Sequence, residues 1–227
     1  MGAFFCGHDG IIASVDSQLS TRQDTQRIAP LMAPLDEEPS ASPFVSRAGT
    51  KLQAALDQFA ITPDRWVCAD LGCNTGGFTD CLLRSGVAKV YAVDTGYGVL
   101  AWKLRKDERV VVLERTNALH VQLDEPVDLV VIDVAWTRQR LILPAARQLL
   151  KPNGLIISLI KPHYEADQSL LRKGVLPPED AQQVLQETLA ALSKDGFQPS
   201  DTTPSPIVGK KGNREFLALF QESEPNE

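Results

Sequence analysis

Several features that would tie a chain to a membrane or to a metal are missing here. No apolar run in the 227 residues approaches the roughly 20 needed to span a bilayer. The opening Met1-Gly-Ala-Phe-Phe-Cys6 has no basic n-region, so no secretory signal is expected. Cys6 stands where N-myristoylation requires Ser or Thr. Cysteine is scarce: Cys6, Cys68, Cys73 and Cys81 form no CxxC pair, which argues against zinc and for free thiols in a reducing cytoplasm. No metal site and no membrane partner are expected, and the location read from this is cytoplasmic.

Positive charge is short as well, with a net charge of −6 that weighs against a nucleic-acid partner. The deficit is uneven. Residues 1–43 hold two Arg against six acids, and 222–227 hold three Glu, so 44–220 carries a net +1. The body is near neutral and leaves room for a local basic face.

Residues 1–43 carry Pro30, Pro34, Pro39 and Pro43 and show no sustained apolar period, which reads as a disordered or loosely attached acidic leader. An ordered domain is expected over 44–221, followed by an acidic tail at 222–227. Ser46 can cap a helix whose apolar positions Leu52, Ala55, Leu56 and Phe59 recur at helical spacing, and Pro63 ends it. Strands are expected at Trp66–Leu71, Lys89–Val93, Val110–Leu113, Val127–Ile132 and Leu155–Ile160, with helices near 77–86, 98–106, 138–151 and 178–195. Apolar strands alternating with helices give an α/β fold whose parallel sheet is covered on both faces. Phe197–Pro206 and Glu215–Gln221 are joined by a link too short for a crossover helix, so they should pair as an antiparallel hairpin. Seven strands closed by such a hairpin make the Rossmann-like sheet of class I methyltransferases; a dinucleotide-binding domain would more often add another parallel strand.

The stretch Val67-Cys-Ala-Asp-Leu-Gly-Cys-Asn-Thr-Gly-Gly77 is an apolar strand ending in Asp70 and a Gly-rich turn, before a helix that starts at Phe78. Glycines 72, 76 and 77 allow close backbone approach to a ligand at a helix N-terminus. The second strand ends in Asp94, a position suited to holding a ribose diol. Four further ionisable residues stand out. Lys51 is early in the first helix, Asp133 and Lys161 close the fourth and fifth strands, and Glu215 opens the last. Each has an ordinary reading: helix surface for Lys51, a turn cap for Asp133, a solvated loop for Lys161, an edge charge for Glu215. Their convergence on the carboxyl edge of one sheet, where ligands of open α/β sheets sit, favours function.

Six ordered blocks carry a family resemblance: Ser46-Arg-Ala-Gly-Thr-Lys-Leu, Asp70-Leu-Gly-Cys-Asn-Thr-Gly-Gly-Phe-Thr-Asp-Cys-Leu, Tyr91-Ala-Val-Asp-Thr-Gly-Tyr-Gly-Val-Leu-Ala-Trp-Lys-Leu-Arg, Glu114-Arg-Thr-Asn, Lys161-Pro-His-Tyr-Glu and Gly212-Asn-Arg-Glu-Phe. Over residues 44–220 the chain resembles the TlyA (haemolysin A-like) branch of the FtsJ/RrmJ-type RNA 2′-O-methyltransferases. The resemblance implies S-adenosylmethionine as donor, with S-adenosylhomocysteine as product, ribosomal RNA as substrate, and a catalytic Lys-Asp-Lys-Glu tetrad falling on Lys51, Asp133, Lys161 and Glu215. Asp70, Gly72, Asn74, Gly76, Gly77, Phe78, Asp94, Asn117 and Asp133 are then expected to bind the donor, with Gly72, Asn74, Gly76 and Gly77 at its methionine end, Asp94 at its ribose and Asn117 near its adenine. Lys161 is the group expected nearest the ribose hydroxyl, with Asp133 orienting it and Glu215 positioning Lys51; His163 is not expected to act. The sequence departs from the branch in two places. An acidic leader stands where an S4 RNA-binding domain is usual, which leaves a role for an accessory RNA-binding partner, and Asp133-Val-Ala-Trp136 replaces a Ser-Phe pair. Trp136 reads either as a stacking platform or as a core residue. Two competing functions are a methyltransferase acting on another substrate and a donor-binding, haemolysin-like module without RNA methylation.

Overall fold

The computed structural model describes residues 42–221. Apart from Ser42 and Pro43, the leader expected at 1–43 and the tail at 222–227 lie outside the described residues. Five parallel strands, β1 (Val67–Leu71), β2 (Lys89–Val93), β3 (Val110–Leu113), β4 (Val127–Ile132) and β5 (Leu150–Ile160), are followed by β6 (Pro199–Pro204) and β7 (Phe216–Gln221). The order across the sheet is β3-β2-β1-β4-β5-β7-β6, with β7 antiparallel to both neighbours. This is the Rossmann-like sheet with a C-terminal hairpin that the sequence leads one to expect. The chain builds outward from β1 through β2 and β3, then returns to β1's other side with β4. The switch point therefore lies between β1 and β4, at the ends that carry Asp70 and Asp133.

Strand pleating sends alternate residues to opposite faces. One face takes Cys68, Val90, Leu129, Val131, Ile157, Leu159 and Leu217. It is covered by α1 (Ala48–Gln58), α2 (Gly77–Arg84) and the short α3 (Trp102–Arg105), through Leu52, Phe78, Leu82 and Leu104. The other face takes Ala69, Leu71, Val93, Val130, Ile132, Ile156 and Ile160 beneath Ile142 and Leu143 of α4 (Gln139–Arg147) and Val184 and Leu185 of α6 (Pro178–Lys194). Each fully buried Leu or Ile stabilises the fold by about 1.5–3 kcal/mol. Cys68, Cys73 and Cys81 are buried free thiols, and burial pushes the Cys81 thiol up to about 12. Among the described residues no helix is long and apolar enough to cross a membrane.

Several expected boundaries are corrected. The helix expected over 98–106 is only Trp102–Arg105. The backbone N–H groups of Gly98, Val99 and Leu100 instead donate to the Glu114 carboxylate, at 2.8, 3.0 and 3.3 Å. α4 stops at Arg147, and β5 starts at Leu150 rather than Leu155, because Leu150 pairs with Val127 ahead of an irregularity that includes Asn153 at φ 62°. Ser46 does not cap α1: the N-cap is Arg47, without a side-chain cap bond. Two short elements were not legible, α5 (Pro162–Glu165) and a 3-10 turn at Gln168–Leu170.

Gly77 shows how tightly α2 seats on α1. A Cβ there would stand 2.3 Å from Ser46 Oγ and 2.8 Å from the backbone nitrogen of Gly49. The glycine is required by helix packing. Gly77→Ala is expected to destabilise the domain by about 1–3 kcal/mol through overpacking, read as a lowered midpoint in thermal or urea unfolding. An unchanged midpoint would contradict the close α1–α2 contact.

Candidate active site

The same pleat that alternates the core residues also aims the polar ones. Asp70 continues the series from Cys68, Asp133 that from Leu129 and Val131, Lys161 that from Ile157 and Leu159. Glu215 precedes Leu217 on the reversed strand. All four therefore emerge on the face covered by α1, and α1 supplies Lys51 from the turn beside Leu52. They line one cavity of about 870 Å³ at the carboxyl edge of the sheet.

Two lysine–carboxylate pairs form within it. Lys161 Nζ lies 2.5 Å from Asp133 Oδ1 and donates to the Val134 carbonyl at 2.9 Å. Lys51 Nζ pairs with Glu215 Oε2, and both residues are only 6% exposed. Asp70 is completely buried. Its Oδ2 accepts from Thr79 Oγ1 at 2.6 Å, and its Oδ1 has no partner. Burial drives its carboxyl up to about 7, the Thr79 hydrogen bond opposes this, and the Asp133 charge adds to it. His163 presents an unpartnered, buried Nδ1 to the same cavity; burial, then Lys161, Lys211 and Lys51, push it down to about 4, so it is neutral at pH 7.

Of the residues expected to hold a donor, Asp70, Gly72, Asn74, Phe78 and Asp133 line the cavity, while Gly76, Gly77, Asp94 and Asn117 do not. Gly72, at φ 87°, lets the end of β1 approach β4: a Cβ there would stand 2.8 Å from the Asp133 carbonyl oxygen. A Cβ on Gly76 would strike Leu104 at 2.3 Å and Leu100 at 2.7 Å, so this glycine serves the packing of α3. The Asp94 carboxylate closes the glycine turn, accepting from Asn74 N at 2.9 Å and Gly96 N at 2.7 Å. Asn117 accepts from Leu119 N at 3.0 Å in a local turn.

Trp136 is 81% exposed, which rules out the core reading. It holds φ 63°, and its ring lies 4.9 Å from that of Tyr164 at the cavity wall. Sequence reasoning missed Glu165 and Glu114. Glu165 accepts from Gln139 N at 2.8 Å, joining the loop after β5 to the start of α4, and burial raises its carboxyl. Glu114 pairs with Arg105, which with the loop N–H groups holds its carboxyl down at about 2. A signal for Glu114 was present: an acid closing β3 across from the three consecutive N–H groups of a glycine-bearing loop. The cationic lining from Arg47, Arg138, Lys210 and Lys211 was also missed.

Comparison with known proteins adds to this geometry. The profile of the FtsJ-like methyltransferase family matches residues 44–222. YqxC of Bacillus subtilis is 42% identical over 183 residues, covering 77% of this chain and 64% of that protein; this chain thus spans less than two thirds of YqxC. The 16S/23S rRNA (cytidine-2′-O)-methyltransferase TlyA of Mycobacterium tuberculosis is 39% identical over 180 residues, 77% of this chain and 67% of the relative. A solved structure from Streptococcus thermophilus, named for a hemolysin, aligns with a TM-score of 0.78 at 34% identity, over 82% of this chain and 70% of that one.

Asp70 provides a test of the site's electrostatics. Its carboxyl titrates near 7 in the folded chain and near the ordinary aspartate value of 3.8 when unfolded, so between these values the folded state keeps a proton that the unfolded state has lost. Stability therefore falls as pH rises from about 4 to 7, by up to roughly 1.4 kcal/mol per unit. Asp70→Asn keeps the acceptor for Thr79 and removes the titration. Its Tm should match wild type near pH 4, exceed it increasingly as pH rises to 7, and keep that margin at pH 8. Parallel Tm curves for the two proteins across that range would contradict the burial assigned to Asp70.

Proposed function

This chain belongs to the FtsJ-like methyltransferase family, and from that premise we propose that it is an S-adenosylmethionine-dependent methyltransferase acting on a ribose 2′-hydroxyl of ribosomal RNA. The observation that carries the reading is the pair of lysine–carboxylate contacts, Lys161 with Asp133 and Lys51 with Glu215, facing one cavity at the switch point of the sheet. The rRNA methyltransferase named among its relatives supports RNA as the substrate.

The cavity suits the donor. The unpartnered Asp70 Oδ1 and the glycine-lined wall at Gly72 offer polar contact and close backbone approach. Asp70, Gly72, Asn74 and Phe78 would hold the methionine end. Asp94 would take the ribose, since each of its oxygens keeps a lone pair beyond the backbone bond it already accepts. Asn117 would lie toward the adenine. When bound, S-adenosylmethionine supplies an activated sulfonium methyl.

The work left to the chain is alignment and proton removal. Lys161, in its neutral amine form, accepts the proton of the ribose hydroxyl and becomes the ammonium. Asp133 fixes the direction of its amine and stabilises the ammonium that forms. Lys51, held by Glu215 in a buried pair, adds a fixed positive charge where negative charge grows on the ribose oxygen.

Lys161→Ala should lower the single-turnover rate of methyl transfer to ribosomal subunits by about 10²–10⁴ with donor affinity nearly unchanged, the pattern of a group acting in the transition state. Lys161→Arg should fail almost as badly, because a guanidinium keeps its proton at any working pH. A Lys161→Ala enzyme with wild-type turnover would remove Lys161 from the mechanism.

A further inference from the structure

The active cavity opens beside two turns whose cations the proposed chemistry does not use. The first is Arg172–Val175, closed by reciprocal hydrogen bonds, Arg172 N to Val175 O at 2.8 Å and Val175 N to Arg172 O at 3.0 Å. Its central residues, Lys173 at φ 55° and Gly174 at φ 81°, both adopt left-handed backbone. That conformation suits Asn or Gly, yet a lysine occupies it. The second is the link between β6 and β7, Val208-Gly-Lys-Lys-Gly-Asn-Arg214, tightened by Gly209 N to Asn213 O and Gly212 N to Gly209 O, both at 2.9 Å.

A single buried side chain locks the two turns together. Asn213 is 3% exposed; its Oδ1 accepts from Leu176 N at 2.9 Å and its Nδ2 donates to the Gly174 carbonyl at 3.2 Å. The lock brings the cations into one group. A Cβ built on Gly174 would lie 3.5 Å from Lys211 Nζ, and Gly174, Lys210 and Lys211 all line the cavity. Arg172, Lys173, Lys210, Lys211 and Arg214 are exposed, and none forms an ion pair among the described residues. Five exposed cations on two hydrogen-bonded turns, unpaired among the described residues, stand out in a chain of net charge −6. Of this group Lys211 reaches furthest inward: after burial and Lys161, it is the next charge that lowers His163 on the cavity wall.

We propose that these two turns form a phosphate clamp for the RNA strand next to the methylated nucleotide, neutralising the phosphodiesters that flank the ribose in the cavity. This rests on the RNA methyltransferase reading and extends it to a docking surface. The occupant is set by complementarity: closely spaced fixed cations at the rim of a site that takes one nucleotide match the regular charge spacing of a nucleic-acid backbone. The hydrogen-bonded turns fix the backbone that carries the cations before RNA arrives, so the ordering cost on binding falls on the lysine and arginine side chains.

The test uses the full chain, a fluorescein-labelled poly(U) oligonucleotide and ribosomal subunits. The variant Lys173→Ala/Lys210→Ala/Lys211→Ala should bind the oligonucleotide at least about tenfold more weakly, and its slope of log K against log salt across about 50–200 mM KCl should shrink by about 2, near 0.7 per lost phosphate contact. It should keep wild-type affinity for S-adenosylhomocysteine, which shows that it is folded. Unchanged affinity and slope in the triple variant, or a wild type that does not bind the oligonucleotide, would overturn the clamp. So would loss of binding to phosphatidylglycerol vesicles with RNA affinity intact, which would assign the cations to a lipid surface. A wild type that binds donor and oligonucleotide with the expected slope but methylates no ribosomal RNA would sink the catalytic reading and leave the clamp standing.

Discussion

A buried lysine paired with a buried glutamate across 164 residues of sequence holds this domain's working end together. Lys51 sits on the first helix and Glu215 just before the last strand, so the contact closes the cavity between the two ends of the described chain. Taking such a pair out of water costs several kcal/mol per ion, and apolar replacements are often as stable, whereas removing one partner alone costs about 3–5 kcal/mol. The pair is therefore weak evidence for stability. Its position is better explained by chemistry, because a second lysine–carboxylate pair, Lys161 with Asp133, faces the same cavity.

The parallel sheet makes this convergence economical. Residues one step beyond β4 and β5, and one before β7, inherit the direction of the buried alternation that packs the α1 face. Core packing and site placement are thus fixed by one periodicity. A slip of one residue in β5 would turn Lys161 to the opposite face and bury the wrong side of the strand. Lys161 is further restrained by the Val134 carbonyl, and its loop is tied to α4 through Glu165. Lys161 thus stands on a braced strand end. The cations of the two outer turns would extend the proposed site from the ribose to its flanking phosphates.

Much of this was legible in the sequence because it depends on strong local signals. Apolar runs located all five parallel strands, and the short link before Glu215 indicated the hairpin. The convergence on one cavity was legible because Asp133, Lys161 and Glu215 each interrupt an apolar pattern at a strand end. What escaped depended on contacts between distant segments. Nothing local in 98–101 shows that Glu114 withdraws its N–H groups from a helix. The glycines at 76 and 77 read as ligand glycines, yet their missing side chains make room for Leu104 and Ser46. Asp94 read as a free ribose acid, yet it also closes the turn at Asn74. The basic rim was hidden by a negative total charge, and it appears only when Asn213 joins the Lys173 and Lys211 turns.

The most direct measurement is the position of the transferred methyl. Ribosomal subunits incubated with the protein and methyl-labelled S-adenosylmethionine would be digested to nucleosides and resolved by mass spectrometry. The expected product is a 2′-O-methylnucleoside, with the label on the ribose and resistance to alkaline cleavage at that site. Label on a base, or in a product other than RNA, would contradict a site built to take a proton from a ribose hydroxyl.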